Sequence, residues 1–204
     1  LIMDIKAPEK INYILETFWK NGFEAYCVGG SIRDSVMGIP TGDWDITTSA
    51  LPEETKELFK SEKIIDTGIK HGTVSIIKDH EAIEVTTFRI DGEYSDNRHP
   101  ENVSFTRNLN EDLKRRDFTV NTLAYSEKTG LVDLCQGVSD IENKIIRTVG
   151  DAETRFNEDG LRIMRALRFA STLNFNIEDE TKKAIHKQKE LLKNISVERI
   201  SVEL

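Results

Sequence analysis

Cysteine is scarce: the 204-residue chain holds only Cys27 and Cys135. Two isolated thiols build neither a disulfide framework nor a metal cluster, and both read as reduced core residues of a cytosolic protein. Long apolar runs are missing too. No stretch is apolar enough to span a bilayer, and the first residues lack the pattern of a signal peptide. The expectation is a cytoplasmic protein with no membrane partner. Positive charge is in deficit: 28 Lys and Arg against 36 Asp and Glu leave a net charge of −8. That argues against a large generic nucleic-acid surface, so an RNA substrate would have to meet local arginine patches or something outside this chain. Apolar residues at 38% and charged residues at 31% mark an ordinary globular composition without bias to disorder. The length suits one sizeable domain or two small ones.

What is present is concentrated first in residues 26–50. Gly29 and Gly30 follow an apolar strand-like run, residues 23–28, and precede a short helical pattern over residues 31–37. Glycines at such a junction let the backbone approach a ligand closely and turn N–H groups toward an anion. Further on, Asp43 and Asp45 flank Trp44. Side chains at i and i+2 of a strand share a face. The two carboxylates therefore point one way, while Trp44 and Ile46 face the core. Such a pair suits Mg²⁺, which takes one or two carboxylates together with water and substrate phosphates. Beside a glycine turn it reads as a nucleoside-triphosphate site running two-metal chemistry. A solvated turn capped by two aspartates would leave the same short pattern.

The rest of the chain supplies companions. Ile11, Ile14, Leu15 and Phe18 recur at helical spacing, and Asn21-Gly22 stops that helix. A helix start at residues 50–54, with a proline and acids in its first turn, runs to about residue 59. Ile64-Ile65 forms a short strand. Residues 71–77 and 82–89 read as a hairpin turned at residues 78–80. On its second strand Glu84 interrupts a β-branched run; it is either exposed or, if buried, paired or bound to metal. Residues 91–105, including His99, form a polar loop too long for a tight turn. Residues 111–125 open a helix anchored by Leu113, Phe118 and Val120, with Arg115 and Arg116 as candidate phosphate contacts. Residues 131–134 make another strand, and residues 140–143 a connecting helix or turn. Strand signals stop near Gly150, where a boundary is expected. In the helix over residues 158–169, Asp159, Arg162, Arg165 and Arg168 recur every third residue. That stripe is either a solvated face or a base reader, since a carboxylate accepts from an exocyclic amine and arginine donates to ring nitrogen or carbonyl oxygen. Residues 178–194 and 196–204 give two more helices, and the pattern breaks off as part of a longer protein would.

Five segments stand in a distinctive order: Gly-Gly-Ser-Ile-Arg-Asp with Asp-Trp-Asp; Glu-Val-Thr-Thr-Phe-Arg; Arg-Arg-Asp-Phe-Thr-Val-Asn; Glu-Asp-Gly-Leu-Arg-Ile-Met-Arg-Ala-Leu-Arg-Phe; and Glu-Arg-Ile-Ser-Val-Glu-Leu. Over residues 14–204 the chain resembles the class II tRNA nucleotidyltransferase and bacterial poly(A) polymerase family. The resemblance implies an α+β fold. Residues 1–150 would be a polymerase-β-like head with a mixed sheet, and residues 151–204 the start of an all-α neck whose body and tail are absent. It implies that Asp43 and Asp45 hold catalytic Mg²⁺, with Glu84 as a third carboxylate. Gly29, Gly30 and Arg33 would contact the triphosphate, and Arg116 would help bind the nucleotide. Asp159 and Arg162 would pair with CTP or ATP, supported by Arg165 and Arg168. The activity implied is addition of C, A or both to the 3′ end of tRNA without a nucleic-acid template. The loop at residues 91–105 resembles the family's flexible loop, tied to the switch from C to A addition, and favours CCA- or A-adding activity. No His-Asp phosphohydrolase motif occurs. A poly(A) polymerase and a catalytically inactive RNA-binding module on the same fold are the rivals, and the oligomeric state stays open.

Overall fold

The computed structural model describes residues 4–94 and 102–204. The chain opens with helix α1 (Glu9–Lys20), then strand β1 (Ala25–Val28), helix α2 (Gly30–Met37) and strand β2 (Asp45–Thr48). Helix α3 (Pro52–Leu58) leads into β3 (Lys63–Gly68), β4 (Thr73–Lys78) and β5 (Glu81–Thr87), followed by β6 (Arg89–Asp91) and β7 (Val103–Phe105). Next come α4 (Leu109–Lys114), β8 (Ala124–Ser126), β9 (Gly130–Val132), α5 (Gly137–Glu142) and β10 (Ile145–Ile146). The last part holds α6 (Ala152–Glu158), α7 (Leu161–Leu173), β11 (Asn176–Ile177), α8 (Asp179–Gln188) and α9 (Val197–Val202).

Seven strands make one mixed sheet in the order β3-β4-β5-β2-β1-β8-β9. Within it β2 and β5 run parallel, and each other neighbouring pair is antiparallel. This is the α+β architecture expected. Helix α1 lays Ile11, Ile14, Leu15 and Phe18 into the core, where Phe18 meets Phe59 edge-on at 5.1 Å between centroids. The β4–β5 hairpin pairs Lys78 with Glu81 around Asp79 and His80, both at positive φ (50° and 64°). That is the two-residue primed turn that matches strand twist.

The structure departs from the sequence reading at three places. The helix over residues 111–125 is a short α4 that ends at Lys114. Leu113, Phe118 and Val120 are spaced by five and two, which no helical face satisfies. Phe118 instead enters the core and bridges to Thr148, and residues 124–126 join the sheet beside β1. The helix over residues 158–169 is two helices broken at Asp159-Gly160, where a Cβ on Gly160 would lie 3.2 Å from Leu191 Cβ. Cys135 is half-buried and not a core residue, whereas Cys27 is fully enclosed. Residues 95–101, with His99 and the middle of the long polar loop, lie outside the described residues; the flanks of that loop pair as β6 and β7.

Beyond residue 150 the chain stays joined to the sheet layer. Strand β11 pairs in parallel with β10, and Ala166, Phe169 and Phe175 share the main apolar core with Phe118 and Ile146.

Candidate active site

The site starts at the end of β1. Gly29 holds φ 79° and ψ −138°, a backbone state that side-chain-bearing residues rarely adopt, and it caps the N-terminus of α2. That kink turns the first N–H groups of an eight-residue helix into a cleft of about 600 Å³. Arg33, one turn into α2, is almost buried. Its Nε donates to Asp34 Oδ1 (2.8 Å) and its Nη1 to Asn121 Oδ1 (2.7 Å).

The carboxylates stand at the start of the adjacent strand: Asp45 is the first residue of β2, and Asp43, expected on the same strand, lies two residues ahead of it, before the strand begins. Asp43 and Asp45 are exposed to the cleft, while Trp44 and Ile46 between and after them are buried, the alternation that a strand imposes. The parallel register Ile46↔Val85 sets Glu84 on β5 beside Asp45. Glu84 is exposed, flanked by buried Ile83 and Val85. It lies outside the main cleft, on a second one of about 410 Å³ that shares Asp43 and Asp45. Protein closes round Asp45 although its carboxylate reaches the cleft. That enclosure, then the charges of Asp43 and Glu84, push its carboxyl up to about 6 against the pull of Arg116. Among the described residues none of the three carboxylates has a hydrogen bond or ion pair, so at Asp45 their mutual repulsion is offset only by the charge of Arg116 across the cleft.

A divalent cation fits such a donor set. Among the described residues no three His, Cys, Asp or Glu side chains gather closely enough to hold a metal alone. Asp43 and Asp45 leave the remaining positions to water and phosphate, as Mg²⁺ prefers.

Opposite the carboxylates stands a wall of arginines, and the sequence did not reveal what holds it. Arg116 Nη2 donates to Asp112 Oδ2 (3.1 Å), and its Nε is buried without a partner. Asp112 is fully buried. Burial would raise its carboxyl, but Arg116, Arg115 and the Arg89 N–H hold it below the usual range. Asp117 takes Arg165 Nε (2.8 Å), the Asn121 amide (3.2 Å) and the Phe118 N–H (2.7 Å). Its carboxyl is likewise held low against burial, mainly by the Arg165 charge. Glu203, directly after α9, sits 2.6 Å from Arg168 and 3.7 Å from Arg165. The visible signals were the i, i+4 pairs Asp112/Arg116 and Asp117/Asn121. Nothing local ties Glu203 to a site far from it in sequence.

Asp159 does not stand on the arginine helix. It occupies the break before α7, where Oδ1 accepts from the Leu161 N–H (3.0 Å) and Arg199 reaches Oδ2 (3.3 Å). Arg162 donates through Nη1 to Glu158 (2.6 Å) and the Arg155 carbonyl (3.0 Å), and through Nη2 to the Arg115 carbonyl (3.2 Å). The structure thus brings Gly29, Gly30, Arg33, Asp43, Asp45, Arg116, Asp159, Arg162, Arg165 and Arg168 to one cleft.

Acid groups crowded together and facing donors suited to phosphate are the outfit of a phosphoryl-transfer centre, and the sheet beneath them is that of a polymerase head. The chain belongs to the family described as the poly A polymerase head domain, whose model matches residues 25–147. A second model, described as a probable RNA and SrmB-binding site of polymerase A, matches residues 174–204. The CCA-adding enzyme of Lactobacillus helveticus is 56% identical over 93% of this chain and 47% of its own length. That of Geobacillus thermodenitrificans is 52% identical over 94% of this chain and 47% of its own. Among solved structures, the Bacillus stearothermophilus CCA-adding enzyme in complex with CTP aligns at TM-score 0.88 and 46% identity, over 97% of this chain and 48% of that one. The Thermotoga maritima CCA-adding enzyme complexed with tRNA aligns at TM-score 0.78 and 26% identity, over 97% and 47%. The chain spans about half the length of the curated relatives it matches. A metal dependence is implied by the family. Among the described residues, no helix is long and apolar enough to cross a membrane.

Proposed function

We propose that this chain carries the catalytic and nucleotide-selecting part of a cytoplasmic tRNA nucleotidyltransferase that adds C, A or both to the tRNA 3′ end from CTP and ATP. Residues 1–150 are the head and residues 151–204 the start of the neck. The observation that carries the reading is the single cleft in which unpaired Asp43 and Asp45 face a wall of arginines.

Mg²⁺ held by Asp43 and Asp45, with Glu84 alongside, would supply the positive charge that activates the RNA 3′-hydroxyl and offsets the leaving pyrophosphate. The N–H groups at the start of α2, with Arg33 and Arg116, meet the phosphate oxygens. Arg116 has a buried Nε left over for that purpose. Asp159 presents a carboxylate fixed from behind by Arg199, with lone pairs free to accept from the exocyclic amine that cytosine and adenine share. Uracil and guanine offer a different edge. Arg162 spends three of its five N–H donors on Glu158 and the Arg155 and Arg115 carbonyls, which leaves donors for the acceptor atoms of a base. Arg165 and Arg168 line the same wall, held by Asp117 and Glu203.

The test uses full-length protein, a tRNA transcript ending at the discriminator base, labelled CTP or ATP, and Mg²⁺. Two C followed by one A, lost in Asp45→Ala, is the expected result. Addition of A alone to a transcript already ending in CC would narrow the activity to A addition. Long A tails would move the reading to a poly(A) polymerase, which the family name keeps in play. No incorporation would overturn it.

A further inference from the structure

We propose that Phe169 is a positioning residue of the nucleotide site, its ring holding three guanidinium groups in one converging array. The inference rests on the nucleotide-binding reading of the main cleft. Phe169 lines that cleft and is largely buried. The guanidinium carbons of Arg168, Arg165 and Arg33 lie 4.7, 5.2 and 5.3 Å from its ring centroid. Every other such contact among the described residues joins one cation to one ring. Phe118 meets the ring edge-on at 5.9 Å, which fixes its tilt from the core side.

The three arginines arrive from two directions. Arg33 comes from α2 at the glycine turn, whereas Arg165 and Arg168 precede Phe169 on α7 by one helical turn and one residue. Three like charges gathered at one point repel, and each also has a carboxylate to its side: Asp34, Asp117 and Glu203 respectively for Arg33, Arg165 and Arg168. Carboxylates alone would draw the groups apart toward their separate partners. A ring face attracts the guanidinium plane through its quadrupole and takes up none of the N–H groups. The donors left over remain available to a polyanionic ligand, already oriented before it arrives. An aliphatic side chain of similar volume would fill the space without that attraction.

The test replaces the ring charge while keeping its shape. In full-length protein, Phe169 is exchanged for mono-, di-, tri- and pentafluorinated phenylalanine, with Phe169→Tyr and Phe169→Leu for comparison. The Kd for CTP and ATP and the Tm are measured on each. The expected result is a Kd that climbs stepwise with fluorine number, by about tenfold over the series. Phe169→Tyr should stay close to wild type, Phe169→Leu should match the most fluorinated ring, and Tm should not follow the same order. A Kd that is flat across the fluorinated series, even with a weakened Phe169→Leu, would show a ring acting by volume alone and overturn the inference. Wild-type protein that binds neither nucleotide would overturn the nucleotidyltransferase reading, and this inference with it.

Discussion

Asp117→Asn removes one charge from the middle of the arginine wall and leaves its shape. Asp117 is buried, takes Arg165 Nε at 2.8 Å and Nη2 at 2.7 Å, and steadies Asn121, which in turn holds Arg33. Breaking one side of a fully buried ion pair costs about 3–5 kcal/mol. Arg165 keeps a third of its side chain in solvent, so the stranded cation is partly hydrated and about 2–3 kcal/mol is the better figure. For a protein of this size that lowers Tm by roughly 4–12 °C. The pH dependence adds a sharper check. The folded carboxyl of Asp117 lies below its ordinary value. The stability it contributes is therefore fully present above the unfolded pKa of about 3.9 and is lost as pH falls through the lower folded value. The Tm gap between wild type and Asp117→Asn should hold constant from neutral pH to about pH 5 and close below about pH 4. Calorimetry across that range, with Kd for CTP measured at pH 7, reads both effects. A gap under 1 °C, or one that widens toward acid, would refute the claim that a charged Asp117 fastens Arg165.

Other substitutions test other parts. Asp45→Asn should cut nucleotide addition by at least about a hundredfold. It should not lower Tm in metal-free buffer, because the carboxyl it removes is one that enclosure and its neighbours already disfavour. Gly29→Ala forces a side chain into φ 79° with ψ −138°, which should cost about 1–3 kcal/mol by denaturant titration and raise the KM for CTP. Gly137→Ala places a Cβ 2.5 Å from the Thr119 carbonyl oxygen, so about 1–3 kcal/mol should be lost with little change in KM. Phe18→Ala opens a cavity against Phe59 and should cost about 3–5 kcal/mol, seen as a lower denaturation midpoint.

The sheet that carries the site could be read from sequence because its signals are local. The alternation around Trp44, the apolar residues flanking Glu84 and the hairpin turn read at residues 78–80, which the structure tightens to Asp79-His80, each follow from a period of two or a single turn. Helix α1 followed equally from a period near four. The reading failed where tertiary demands override such periods. Residues 115–121 leave the helix because Phe118 is drawn into the core and bridges Thr148. Asp159 leaves its helix because Gly160 must pass close to Leu191.

The candidate site divides along the same line. Its strand carboxylates and glycine turn announce themselves within twenty residues, since backbone geometry alone aims them. Its cationic wall does not. Arginines have long, mobile side chains, and their placement depends on carboxylates that are distant in sequence or hidden in a charged run. Asp112 and Asp117 stand in a charged run beside Arg115 and Arg116, where nothing in the local pattern marks them as anchors, yet both are buried and their carboxyls are held below the usual range. Burying a carboxylate is tolerable only when cations compensate it. Each therefore serves as a fixed anchor that turns a flexible arginine toward the cleft. The net negative charge of the chain is consistent with this arrangement. Part of the acid content is internal, and it orders a small cationic surface where a generic basic face would have left the nucleotide unoriented.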